Sequence, residues 1–187
     1  KELEELAKTV EDLLRENDRL AEEVLRTVDD LLRKNDEISK RLLDTARKLL
    51  KELKDLKREN RGDKKDLLRT LERLLEKLKE DVDRSRKISE DLLREVKRLV
   101  DELRERSKRI LDEVRKLAEK LIREKDKSED VKRILEKLIR DVEKSLKDVD
   151  DRLRELIRRV EESLRRNEEI LKEVERRAEE VVEEVRR

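Results

Sequence analysis

Serines one helical turn apart, such as Ser85 and Ser89, and adjacent acids, such as Asp29-Asp30 and Glu183-Glu184, are the residues whose spacing could carry chemistry. A serine becomes a nucleophile only beside a base that takes its proton. The chain has no His and no Cys, and the Ser85 and Ser89 pair lacks a neighbouring base that could make it a nucleophile. Paired carboxylates can hold a hard cation, but these stand on faces crowded with Lys and Arg, which reads as a solvated surface. Acid–base work by a carboxylate or Lys needs a cleft that shifts its pKa, and helices packed side by side provide no obvious one. The expectation is no enzyme, with no catalytic residue, no metal site and no cofactor.

A second chemistry, hydrogen bonding in the interior, is open to Asn17, Asn35, Asn167, Ser39, Ser85, Ser89, Ser107, Ser145 and Ser163. Whether these residues are interior depends on the elements that carry them. Of 187 residues, 58% are charged and 33% apolar, with no Pro, no aromatic residue and a single Gly. That profile matches long helices, and Leu, Glu, Lys and Arg are good helix formers. Leu, Val, Ile and Ala must supply the whole core. The pattern breaks at Glu59-Asn60-Arg61-Gly62-Asp63, where Gly62 suits a left-handed helix end and Asp63 an N-cap. It breaks again at Lys125-Asp126-Lys127-Ser128-Glu129-Asp130, where Ser128 can cap the next helix, or Asp126 and Glu129 can form a capping box. The sequence predicts helices over about 2–60, 64–125 and 129–186, boundaries uncertain by about 2–4 residues. Each segment of about 60 residues is a rod of roughly 90 Å, and the short connections make neighbours antiparallel. The fold class is all-α, one long three-helix bundle over 1–187.

The repeat is eighteen residues. Leu13-Leu14-Arg15-Glu16-Asn17-Asp18 recurs as Leu31-Leu32-Arg33-Lys34-Asn35-Asp36, and Val142-Glu143-Lys144-Ser145-Leu146 as Val160-Glu161-Glu162-Ser163-Leu164. Eighteen residues make about five turns at 3.6 per turn, so the apolar stripe runs along the axis and the helices should be nearly untwisted. The stripe is narrow, enough for two neighbours, which favours a closed monomer. Charges elsewhere form i,i+4 pairs worth about 0.2–0.5 kcal/mol each and serve solubility.

On this repeat the polar residues fall where their relatives are apolar. Asn17 and Asn35 share a wheel position with Leu53, and Ser89 and Ser107 with Leu71. Ser85 aligns with Leu67, Leu103 and Leu121, and Asn167 with Val131, Val149 and Val185. Ser145 and Ser163 align with Val181, and Ser39 with Leu3 and Ala21. Reversing the chain at its two breaks sets Asn17 level with Ser107 and near Ser145. The same reversal sets Asn35 level with Ser89, and brings Ser39, Ser85, Ser163 and Asn167 into one slab. A buried amide or hydroxyl without a partner costs about 1–3 kcal/mol, so two hydrogen-bonded clusters are expected. The alternative is that the serines bond their own helix carbonyls and the asparagines reach solvent.

The eighteen-residue repeat, the caps and the missing special residues resemble de novo designed helical bundles built on parametric backbones, over the whole chain. A spectrin-like or apolipoprotein-like natural array is the competing resemblance, though such chains usually carry aromatics, Met and His. The first resemblance implies a designed, thermostable, soluble scaffold with no natural activity. Buried polar layers would set its helix register, and the chain would sit in the cytosol of an expression host. With 55 Lys and Arg against 54 Asp and Glu, the formal charge of +1 offers no field to draw nucleic acid or an anionic membrane. No apolar run approaches the roughly 18 residues that span a bilayer, and no signal peptide is expected. No partner is required. An oligomer building block or a partner-helix binding module remains the alternative. A lipid-binding amphipathic protein stands behind both, disfavoured by the missing Trp and Phe anchors.

Overall fold

The computed structural model describes residues 2–59, 64–124 and 129–186. They form α1 (Glu2–Glu59), α2 (Lys64–Glu124) and α3 (Glu129–Arg186), with no strand among the described residues. Each helix runs unbroken past its polar positions, including Asn35 and Ser85. The sequence contains nothing to stop them: propensity is favourable throughout, and Pro is absent. Glu2, Glu4 and Glu5 open α1, and Glu129 and Asp130 open α3, where acids meet the positive end of the helix dipole. The proposed caps at Gly62, Asp63, Asp126 and Ser128 lie outside the described residues.

Three helical stretches pack as a bundle in each of two compact units. The first comprises α1 up to Val28, α2 from Glu95 and α3 up to Arg158. Its core joins Leu6 and Val10 of α1 to Ile110, Val114 and Ala118 of α2 and to Leu135, Val142 and Leu146 of α3. Directions follow from the pairs that cross between helices. Arg104 meets Asp150 at 2.8 Å while Arg115 meets Glu143 at 2.7 Å, so α3 descends as α2 ascends.

The second unit comprises α1 from Asp29, α2 up to Arg94 and α3 from Arg159. One core layer holds Ala46, Leu78, Val82, Leu171 and Val174. The next holds Leu50, Leu71 and Val181. Numbers rise in α1 and α3 and fall in α2, so within this unit α1 and α3 run parallel and α2 opposes both. The interior is aliphatic in both units, with beta-branched Val28, Val96, Val100, Val114, Val142 and Val160 all closed to solvent. Burial at about 25 cal/mol per Å² of apolar surface is the main stabilising term in such a core.

Candidate functional site

The residues with the most specific placement are the polar side chains facing these cores. Asn17, Asn35, Ser39, Ser85 and Asn167 are each at most 2% exposed, and Ser163 is 9% exposed. Ser89, Ser107 and Ser145 are half-buried. The wheel positions explain three of these: Ser39, Ser85 and Asn167 occupy slots whose relatives Ala21, Leu103 and Val149 are themselves buried.

In the first unit, the Asn17 amide Nδ2 donates to Ser107 Oγ across the α1–α2 boundary at 3.2 Å. Beside it, Arg106 reaches Glu16 at 3.3 Å, so neighbouring residues on both helices are tied at the same height. Asn17 Oδ1 and Arg106 Nε are buried without a protein partner among the described residues. Ser145 stands half-buried on α3, and no described hydrogen bond joins it to Asn17 or Ser107. The polar contact here is a pair from two helices.

In the second unit, Asn35 Nδ2 donates to Ser89 Oγ at 3.2 Å. The same hydroxyl lies 3.4 Å from Asn35 Oδ1, oriented to donate back. One serine thus meets both polar atoms of one amide. Ser39 behaves differently, donating to the main-chain carbonyl of Asn35 one turn earlier on its own helix, at 3.2 Å. Exposed Thr9, Thr45 and Thr70 do the same to Glu5, Arg41 and Asp66. This back-bonding is the local habit of hydroxyls in helices. Ser85 Oγ and both amide atoms of Asn167 have no protein partner among the described residues. Of the six residues expected in this slab, the structure joins Asn35 to Ser89 through side chains and Ser39 to Asn35 through the backbone.

Sequence reasoning passed over the charged residues that cross between helices. Arg86 of α2 donates Nε to both carboxylate oxygens of Glu168 at 3.2 Å, and its Nη2 lies 3.0 Å from Glu168. Its Nη1 also engages Glu175. Hydrogen bonds to Glu168 and then Glu175 raise the arginine's pKa above its ordinary value. Arg159 meets Asp29 at 2.7 Å, and in the first unit Arg152 meets Asp18 at 3.4 Å. The available signal was position: Arg86 follows Ser85, and Glu168 follows Asn167, each one step from an interior slot. On the open surface, hydrogen bonds from Arg98 lower the pKa of the Glu95 carboxyl, the nearby positive charge adding to the effect.

Among the described residues no cluster of three or more acidic side chains is set to hold a metal ion. Among the described residues no helix is long and apolar enough to cross a membrane. The second unit has an apolar groove of about 420 Å³ between α2 and α3, floored by Leu78, Val82, Val174 and Ala178 and rimmed by Arg86 and Glu175. A polar one of about 630 Å³ lies between α1 and α3, past Asp36, Lys40, Ser163 and Arg166.

No protein-family model and no curated protein matches the chain. Among solved structures, one described as "Computationally designed three helix bundle" is similar over 98% of this chain and 86% of that one, at 22% identity and a TM-score of 0.47.

Proposed function

We propose that the chain is a designed structural scaffold without natural biochemical activity, in which buried polar positions set the register of the helices. The observation that carries this reading is the pairing of deeply buried Asn17 and Asn35 with serines of the antiparallel neighbour. Slipping α2 against α1 would leave each amide in the core without its serine, at about 1–3 kcal/mol per stranded group. Leu in those slots would add apolar burial and tolerate slippage. Polar residues there favour one arrangement over others. A catalytic role gains no support from the serines: Ser89 meets an amide and Ser39 a helix carbonyl, neither of which is a base.

The test replaces the whole six-residue layer of Asn35, Ser39, Ser85, Ser89, Ser163 and Asn167 by apolar residues, which removes every unpaired group together. This variant is expected to unfold at no lower denaturant concentration than the parent, yet to show several species by light scattering and chromatography. A variant as monodisperse as the parent would overturn the role in register. Asn35→Leu alone removes Ser89's partner, and a clear gain in stability with unchanged monodispersity would count equally against it. Co-sedimentation with lipid vesicles would favour the amphipathic lipid-binding alternative, and a self-associated parent the building-block alternative.

A further inference from the structure

The geometry points to an internal water site in the second unit, where Ser85 of α2 and Asn167 of α3 together bind a long-lived water molecule. Both residues are 1% exposed, and Ser85 Oγ, Asn167 Oδ1 and Asn167 Nδ2 have no protein hydrogen-bond partner among the described residues. The two stand at one level, because their sequence neighbours Arg86 and Glu168 hold each other through hydrogen bonds of 3.2 Å. Nearby side chains are already engaged: Ser39 with the Asn35 carbonyl, and Asn35 with Ser89.

A buried water typically makes about three hydrogen bonds to polar groups that would otherwise lack them. The set here is complementary: the amide Nδ2 gives two protons, Oδ1 accepts, and the serine hydroxyl does either. One water accepting from Nδ2 and donating to Ser85 Oγ or to Oδ1 relieves a burial cost that apolar surroundings cannot relieve. Ser163, one helical turn from Asn167, lines the polar groove of about 630 Å³ and is the least buried of the three, so the groove is the nearest solvent to the layer on this helix. This inference stands apart from the role in register, since a hydrated layer and a register-setting layer are separate properties.

A high-resolution crystal structure of the unaltered chain tests the site directly. Expected is a water peak about 2.7–3.2 Å from an Asn167 amide atom and from Ser85 Oγ. A direct Asn167–Ser85 bond filling that place, or apolar closure around both, overturns it. In solution, oxygen-17 water relaxation dispersion reports long-lived internal water without interference from exchanging hydroxyl protons. The Asn167→Leu/Ser85→Ala double variant, checked for helicity, should lose dispersion amplitude relative to the parent. An amplitude unchanged by the double substitution would also overturn the site.

Discussion

Buried polar side chains in the core of the second unit differ in what they touch, and the difference sets what each substitution costs. Asn35 exchanges hydrogen bonds with Ser89 across two helices, whereas Ser39 bonds the carbonyl of its own helix. A double-mutant cycle of Asn35→Ala and Ser89→Ala, measured by chemical denaturation, is expected to show a coupling of about 0.5–1.5 kcal/mol. Ser39→Ala should change stability by less than about 0.5 kcal/mol, because the carbonyl keeps its helical bond and Ala is the better helix former. A coupling near zero at Asn35 would mean the pair is replaced readily by other partners. On the surface, the Glu95 pKa is lowered by its hydrogen bonds to Arg98. The stabilising contribution of a depressed carboxylate is present above its unfolded value and is lost as pH falls through the folded one. Carbon-13 NMR should find the Glu95 midpoint below the ordinary glutamate value, returning upward in Arg98→Gln. Full exposure keeps the effect on stability small.

At the scale of the elements, the apolar stripe does most of the stabilising, and its residues are not equivalent. Leu156 is closed to solvent on α3 while Ile134, on the same helix, is 54% exposed. Leu156→Ala is expected to cost about 2–5 kcal/mol, from lost burial and the cavity left behind. Ile134→Gln should lie within about 0.5 kcal/mol of the parent, as for other surface changes. Equal losses at the two positions, read from denaturant midpoints, would show that α3 is rotated from the face described. The crossing ion pairs add direction to this packing. Arg86 grips Glu168 and Glu175 on the opposing helix, and its raised pKa means that the arginine's share of the contribution is present at neutral pH and is lost as pH rises through the folded value. The same side chains remain partly exposed, so their contribution is screened by salt.

For the whole molecule, local preference, apolar pattern and polar placement agree, which is the condition for a high folding gap. Circular dichroism is expected to retain high helicity past the ordinary mesophile range of about 45–65 °C. Light scattering should return the mass of a single chain. A midpoint within that range, or a dimer, would mean that the helices depend on something beyond their own stripes. The described residues are helical over 2–59, 64–124 and 129–186 without interruption. That continuity has a local cause: helix propensity and an eighteen-residue pattern are properties of neighbouring residues, and they leave no competing structure along 58 to 61 consecutive positions.

The sequence by itself determined the helices, their apolar faces and the levels at which Asn17 meets Ser107 and Asn35 meets Ser89, because those levels follow from counting residues back from the one break expected near Asp63. Only the tertiary structure decided which polar atoms bond. Ser39 turns to the Asn35 carbonyl of its own helix, Ser145 stays half-buried, Asn167 has no protein partner among the described residues, and Arg86 crosses to Glu168. Counting residues locates a side chain to about one turn of helix, roughly 5 Å. A hydrogen bond tolerates a few tenths of an ångström and a limited angle. Its partner therefore depends on the rotation of each helix about its axis and on the rotamers its neighbours permit, which arise only when the three faces pack.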